Sequence, residues 1–303
     1  MNIVFLGSPD FCIPILEKIY NSRHKILAVV TPTDKIRARG HQILYTPVKN
    51  FALSKSIPVL QPESLKDSSF IEQLKSYNAD LFVVVAFRIL PKEVYSLPKH
   101  GSFNLHGSLL PKYRGAAPIQ WAIINGEKET GLTTFALADK VDTGNMYMQE
   151  KMPIETDDDF GSLHDKLSLL GADMVLKTIE LIEAGSFKLL KQDDSLASPA
   201  PKISKEMCLL DWNKPAVELK NLIRGLSPVP AAFFYHENKL IKVFKVRINT
   251  EIKLNTGEIF SSDSQLTIGC GADALDLLEI QLEGKKKLDI QSFLRGNKLF
   301  SKN

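Results

Sequence analysis

Residues 81–86 read Leu-Phe-Val-Val-Val-Ala, six apolar positions in a row, three of them β-branched. A strand with one face in water alternates apolar and polar residues. An unbroken short run fits a strand buried on both faces, as in a parallel sheet with helices on each side. The surrounding sequence supports that reading. Residues 3–6, 26–30 and 57–60 are further strand-like runs. Between them, residues 11–20, 47–54 and 70–77 place apolar side chains at helical spacing. This alternation predicts a Rossmann-like, mostly parallel α/β sheet with helices on both faces, over residues 1–191. Residues 101–106 add a strand, 117–125 a helix, and 133–138 and 146–154 two more strands. Residues 160–183 form a long amphipathic helix, closed by Ala184-Gly185.

Residues 192–205 are rich in Asp, Ser, Ala and Pro without periodicity, and read as a linker. After it come a helix at 216–226 and short strands at 231–235, 240–248, 258–260, 265–268 and 274–281. These predict a small OB-like β-barrel domain over residues 206–303. Within it Phe244, Val246 and Ile248 alternate with Lys245 and Arg247, which implies one apolar and one basic face. From Lys202 onward there are 16 Lys/Arg against 12 Asp/Glu, whereas residues 1–200 hold 22 against 23. The positive excess therefore sits in the last third. A basic barrel face suits a nucleic acid, although a solvated strand face has the same pattern.

Several classes are disfavoured. No run of about 18 apolar residues is present, so no transmembrane helix is expected. The opening Met1-Asn2-Ile3-Val4-Phe5-Leu6 has no basic n-region and reads as a first strand, not a secretion signal. Cys12, Cys208 and Cys270 are far apart and odd in number, so a reducing cytoplasm is expected and a disulfide framework is not. No Cys/His cluster has zinc spacing, and no metal is expected. The turn Gly7-Ser8-Pro9-Asp10-Phe11 has one glycine where a dinucleotide site carries several, which disfavours a nicotinamide or flavin.

The segment Gly-Ser-Phe-Asn-Leu-His-Gly-Ser-Leu-Leu-Pro-Lys-Tyr-Arg-Gly at residues 101–115 concentrates the chemistry. On a strand, residues i and i+2 share a face, so Asn104 and His106 project side by side while Phe103 and Leu105 turn into the core. An amide beside an imidazole suits a carbonyl whose oxygen gains charge. A carboxylate to manage protons is best supplied by Asp142, with Asp139 a rival three residues earlier. An Asp before Thr143-Gly144 is also a common turn-stabilising residue.

The run Asn-Leu-His-Gly-Ser-Leu-Leu-Pro-Lys-Tyr-Arg-Gly-Ala-Ala-Pro-Ile-Gln-Trp at 104–121 resembles the formyltransferases that use 10-formyltetrahydrofolate. Glu129-Thr130-Gly131 and Asp142-Thr143-Gly144 fit the same family. Further features resemble the members whose acceptor is charged initiator tRNA. They are the opening Phe5-Leu6-Gly7-Ser8-Pro9-Asp10-Phe11, Arg37-Ala38-Arg39-Gly40 with Thr46-Pro47-Val48-Lys49, Pro201-Lys202-Ile203, Asp211-Trp212 and the turn Ser227-Pro228-Val229-Pro230. Leu282-Glu283-Gly284-Lys285-Lys286 and Ser292-Phe293-Leu294-Arg295-Gly296 complete the likeness, which spans nearly the whole chain.

The resemblance implies Asn104, His106 and Asp142 as the catalytic trio. It implies Ser108, Leu109, Leu110 and Pro111 as tetrahydrofolate contacts, and a pterin pocket lined by Phe87, Arg88, Ile89 and Leu90. There Phe87 leads directly to Arg88, where many members have an aromatic-glycine pair and one more residue. The implied tRNA contacts are Lys35, Arg37 and Arg39 on a loop expected to be mobile, then Lys202, Lys245, Arg247, Lys285, Lys286 and Lys287. The implied activity is formyl transfer to the α-amino group of methionyl-initiator tRNA by a monomer. Alternatives are a formyltransferase acting on a small amine, such as a purine precursor or amino sugar, and a non-catalytic RNA-binding protein. A small substrate has no use for a basic C-terminal domain, and the retained trio argues against a dead enzyme.

Overall fold

The computed structural model describes residues 1–36 and 43–300. Over these residues the chain forms two units. The first comprises Met1–Pro118, Thr130–Met152 and His164–Ala200; the second comprises Ile119–Glu129, Pro153–Leu163 and Pro201–Asn303.

The first unit is centred on the strand Leu81–Val85, buried at all five positions. It pairs in parallel with Asn2–Gly7 on one side and Ser102–His106 on the other. Beyond Asn2–Gly7 lie Lys25–Val30 and Val59–Leu60, also parallel. Beyond Ser102–His106 lie Glu129–Ala136, which is antiparallel, and the edge strand Met146–Pro153. The result is a mostly parallel seven-stranded sheet. The strand order reverses between Asn2–Gly7 and Leu81–Val85. Loops leaving those two strands diverge, and such a switch point leaves a crevice at the carboxyl ends. There the Ser8 hydroxyl donates to the Ala86 carbonyl at 3.3 Å.

Both sheet faces are covered, as the apolar runs require. Val4, Leu6, Ala28, Val30, Phe82 and Val84 pack with Phe70 and Leu74 of the helix Ser68–Ser76 and with Val94 of Lys92–Tyr95. On the other face the long helix Phe160–Ala184 approaches closely. A Cβ on Gly171 would stand 2.8 Å from Leu105 and 3.7 Å from Ile15. Local chemistry starts the helices. Asp67 accepts the Ser69 N–H at 2.9 Å, and Thr46 accepts the Lys49 N–H at 3.1 Å with Pro47 in the first turn. Each fully buried Leu, Ile, Val or Phe contributes about 1.5–3 kcal/mol.

Residues 192–200, in the stretch expected as a linker, carry ordered structure in this unit. Asp194–Leu196 is a single 3-10 turn, and Pro199–Ala200 pairs in parallel with Arg114–Gly115.

The second unit is an antiparallel sheet curled into a half-barrel. Its strands run in the order Ala232–His236, Lys239–Asn249, Ala274–Leu282, Leu266–Gly269 and Ile259–Ser261, with Leu288–Asp289 added to Ala274–Leu282. Leu219, Ile223 and Leu226 of the helix Ala216–Leu226 share its core with Ile241, Val243, Leu277 and Ile280. Among the described residues of the whole chain, no helix is long and apolar enough to cross a membrane.

Of the alternation expected across residues 244–248, Val246 and Ile248 pack on the core and Lys245 and Arg247 are exposed, whereas Phe244 departs from it. The ladder between Lys239–Asn249 and Ala274–Leu282 is irregular between Val243 and Val246: the register slips by one at Lys245–Glu279 and slips back, so Val243 pairs with Ile280 and Val246 with Leu277. Such an irregularity breaks the inward–outward alternation locally while the pairing on either side keeps one register. Ile241, Val243 and Val246 are buried in the core, whereas Phe244 is not part of it. Phe244 instead takes Lys287 Nζ over its ring, 5.3 Å from the centroid.

On the same sheet Asp276 is almost fully buried. It accepts from Arg247 at 2.7 Å, Thr267 at 2.7 Å, and Asn249 and Gln265 at 3.0 Å each. Burial pushes its pKa up, but these donors outweigh burial and hold it below the ordinary carboxylate value.

Two outcomes follow from this arrangement. Ile241→Ala should cost about 2–4 kcal/mol in denaturant unfolding, and Phe244→Ala about 1 kcal/mol or less; equal losses would contradict the placement of Phe244 outside the core. Because its folded pKa is depressed, Asp276 stabilises the fold above the ordinary carboxylate pKa of about 4. That contribution is lost as pH falls through the folded pKa. Asp276→Asn should therefore lower Tm at neutral pH by about 3 °C or more, with the gap closing in acid.

Candidate active site

Asn104 and His106 lie on the last turn of pleat in the strand Ser102–His106, on the face opposite buried Phe103 and Leu105. His106 is buried beside Phe135, ring centroids 6.5 Å apart and edge to face. Its Nε2 lies 2.8 Å from the Tyr113 carbonyl oxygen. A carbonyl only accepts, so Nε2 carries a proton and donates it. Nδ1 then points at Asp142, with Oδ2 at 3.8 Å. That separation is too long for a hydrogen bond but close enough for strong attraction once the ring is protonated.

Asp142 is held by its own contacts. Its Oδ2 accepts the Gly115 N–H at 2.9 Å. Its backbone is left-handed, φ +55°. Asp, with its short polar side chain, tolerates that region better than most residues. Two residues on, a Cβ on Gly144 would lie 1.7 Å from the Ala136 carbonyl oxygen, so only glycine fits that close approach. The rival Asp139 points elsewhere and accepts the Tyr95 hydroxyl at 2.5 Å. Among the described residues, no hydrogen bond commits the Asn104 side-chain amide.

The segment after His106 is pinned from beneath. Thr133 donates to the Ser108 carbonyl at 2.7 Å and accepts the Leu110 N–H at 3.1 Å. Gln149 donates to the Leu110 carbonyl at 2.7 Å, and the Ser108 hydroxyl donates to the Lys112 carbonyl at 2.6 Å. The Leu110-Pro111 peptide is cis. Leu110 is buried with Phe135 and Met146, and Leu109 leans on Gly131. These contacts make the expected folate segment a rigid ledge next to His106.

The other expected folate segment leaves the central strand at the switch point. Ala86 is left-handed, φ +47°. Leu90 is buried in the core and Phe87 packs partly against it, whereas Ile89 is 74% exposed. The Arg88 guanidinium donates to the carbonyls of Pro62 at 2.9 Å and Glu63 at 3.1 Å, and lies 5.4 Å from the Phe87 ring centroid. Arg88 thus fastens this loop to the one after Val59–Leu60. Its Nε is buried without a hydrogen-bond partner.

The expected tRNA contacts are spread over both units. Lys35 begins a two-residue strand paired with Ile43–Leu44; Arg37, Arg39 and the expected mobile loop lie outside the described residues. Lys202 is exposed in the second unit. Lys245 and Arg247 are exposed on Lys239–Asn249, opposite Glu279 and Asp276. Arg247 is bound to Asp276, and Lys287 to Glu279 at 2.8 Å. Lys285 and Lys286 follow the turn at Gly284, φ +71°, and are exposed. Lys245 and Arg247 lie on the exposed side as the alternation implied, and Phe244, with Lys287 over its ring, joins them outside the core.

Residues outside the expected set also build the site. Tyr113, Gly115, Thr133, Gln149 and Gln192 hold its backbone. Tyr113 and Gly115 lay within the quoted motif, but their role is carried by main-chain atoms that leave no mark in residue type.

Residues 1–179 match the formyl transferase family model, and residues 202–298 match that of the formyl transferase C-terminal domain. The chain is 44% identical to the methionyl-tRNA formyltransferase of Caldanaerobacter subterraneus over 302 residues, covering 99% of this chain and 98% of the relative. The fold is similar to that of HypX from Aquifex aeolicus in complex with tetrahydrofolic acid, with TM-score 0.65, 18% identity, and 99% of this chain and 47% of the other covered. It is also similar to an N-formyltransferase from Helicobacter canadensis in complex with folinic acid and dTDP-3-aminofucose, with TM-score 0.67, 21% identity, and 91% and 98% covered. Likeness along the full length, with both domains matched, establishes that the chain belongs to the methionyl-tRNA formyltransferase family.

Proposed function

We propose that this chain transfers the formyl group of 10-formyltetrahydrofolate to the α-amino group of methionyl-initiator tRNA. The observation that carries this reading is the full-length likeness to a methionyl-tRNA formyltransferase, with a matched C-terminal domain. A small amine would not call for that domain. The three cysteines are free and buried, which fits action in a reducing cytoplasm.

10-Formyltetrahydrofolate enters as a substrate, on the ledge of Ser108 to Pro111 and the loop of Phe87 to Leu90, and leaves as tetrahydrofolate. The fold's switch-point crevice and the polar backbone groups of these loops suit a flat, polar ring. The attacking amine must be neutral. Free α-amino groups titrate near about 7.7–8.0, so a useful fraction is neutral at pH 7. Stabilising the tetrahedral oxyanion is then the larger task. The Asn104 amide, uncommitted among the described residues, donates to it. In neutral His106 the Nε2 proton is engaged by Tyr113, so the free ring atom is the Nδ1 lone pair. Nδ1 accepts the proton that the amine loses as it bonds to the formyl carbon. Asp142 stabilises the resulting imidazolium. The proton then passes to N10 as the carbon–nitrogen bond of the donor breaks.

Formyl transfer from 10-formyltetrahydrofolate to charged initiator tRNA, with free methionine and uncharged tRNA as controls, tests the reading directly. Transfer to free methionine at an equal rate would refute it. In that assay Asp142→Asn should lower kcat by about 10²-fold or more, with the folate KM within about twofold. Asn104→Ala should cost about 10²–10³-fold. Asp139→Asn, whose target bonds Tyr95, should stay within about threefold; a larger loss would reassign the acid.

Phosphate contacts by the basic residues make binding salt-dependent. Three or more such contacts imply at least about a tenfold loss of tRNA affinity between roughly 50 and 200 mM salt. Lys245→Ala and Lys286→Ala should each flatten the slope of log affinity against log salt by about one. An unchanged slope in both would remove the half-barrel face from the interface.

A further inference from the structure

Gln192 comes from the stretch with no periodicity, yet it is only 5% exposed. All four of its hydrogen-bonding positions are used. Its Nε2 donates to the Asp142 carbonyl at 2.9 Å and to the Gly144 carbonyl at 2.8 Å. Its Oε1 accepts from Arg114 Nε at 3.1 Å and Nη2 at 2.7 Å. No other arrangement of a glutamine amide could satisfy two carbonyls and one guanidinium at once.

The location of those partners matters more than their number. Arg114 stands between Tyr113, whose carbonyl holds His106, and Gly115, whose N–H holds the Asp142 carboxylate. The two carbonyls belong to the turn that carries Asp142 itself. Gln192 therefore bridges the segment that fixes the imidazole to the turn that fixes the acid. The same stretch also grips this segment through its backbone. Ser198 accepts the Tyr113 N–H on its hydroxyl at 2.9 Å and the Arg114 N–H on its carbonyl at 2.9 Å. The acid turn cannot move away from the imidazole without breaking the two hydrogen bonds from the Gln192 amide.

We propose that Gln192 is a positioning residue for Asp142, setting its distance from His106. This rests on the formyl-transfer reading for its kinetic consequence, but not for its structural one. A displacement of about 1 Å at a reacting group can cost about 10²-fold in rate. A residue acting only through Asp142 loses its effect once Asp142 cannot function.

Gln192→Glu keeps the side-chain shape and the Arg114 contact but removes both N–H donors. Four full-length proteins form the test: wild type, Gln192→Glu, Asp142→Asn and the double variant. Gln192→Glu should lower kcat by about 10–100-fold with the folate KM within about twofold. Added to Asp142→Asn, it should cost no more than about twofold. A full additional loss in the Asp142→Asn background, or a rise in KM at unchanged kcat, would overturn the proposal.

A second readout needs no activity. Amide hydrogen exchange at Gly115 should speed up by at least about tenfold in Gln192→Glu, while the central strand at Val83 stays as in wild type. Unchanged Gly115 exchange would also overturn it. If the charged variant does not fold, Gln192→Met, an apolar side chain of similar length, serves in both measurements with the same expectations. A wild type without formyl transfer but with the exchange response would sink the functional reading and leave the positioning role standing.

Discussion

The hydrogen bond from the Gly115 main chain to the Asp142 carboxylate, at 2.9 Å, is the contact through which the rest of the site is organised. Bonds to a charged acceptor are worth more than neutral ones, and this one lies in a nearly closed setting where losing it is costly. It selects one orientation of the carboxylate, and the same oxygen, Oδ2, faces His106 Nδ1 at 3.8 Å. The left-handed backbone at Asp142 and the glycine at position 144 exist to permit that approach. On the far side of the imidazole the Tyr113 carbonyl, two residues before Gly115, fixes the ring by its other nitrogen. Acid and base are thus gripped by one short length of main chain, which keeps their separation insensitive to motion of the sheet as a whole.

The sheet supplies what this length of chain cannot. Asn104 and His106 share a face because the pleat alternates, and the buried partners Phe103 and Leu105 leave them no other orientation. Threonine and glutamine side chains from the two antiparallel strands, Thr133 and Gln149, tie down the ledge that follows. The parallel half contributes the switch point, where Arg88 anchors its loop to a neighbour through two carbonyls. A site of this kind needs both halves, since parallel strands open the crevice and antiparallel ones brace its floor.

The second unit solves a different problem with its own core. A local irregularity in the strand Lys239–Asn249 leaves Phe244 outside the core, beside exposed cations. Acidic partners temper that charge: Asp276 binds Arg247 and Glu279 binds Lys287. Such pairing orders long side chains that would otherwise sample many rotamers.

Much of this was legible in residue order. The run at 81–86 dictated a strand covered on both faces, because burying it once would leave apolar surface in water. The i, i+2 spacing of Asn104 and His106 dictated a shared face, because the strand period is two. Helix starts at Thr46 and Asp67 were local capping chemistry. Other features depended on atoms distant along the chain. Whether Asp139 or Asp142 meets the imidazole turned on a left-handed residue and a main-chain donor at Gly115, neither visible in side-chain type. The alternation at Phe244 was overruled by a local irregularity in the strand ladder. Residues 192–200 lacked periodicity, yet they brace the site, because their order comes from pairing with residues 113–116 and not from local propensity. The amino-acid order alone therefore determined the layers, the strand period and the chemical groups available. The tertiary structure decided which acid faces which base and at what distance, because hydrogen bonds between main-chain groups far apart in the chain have no signature in composition or spacing.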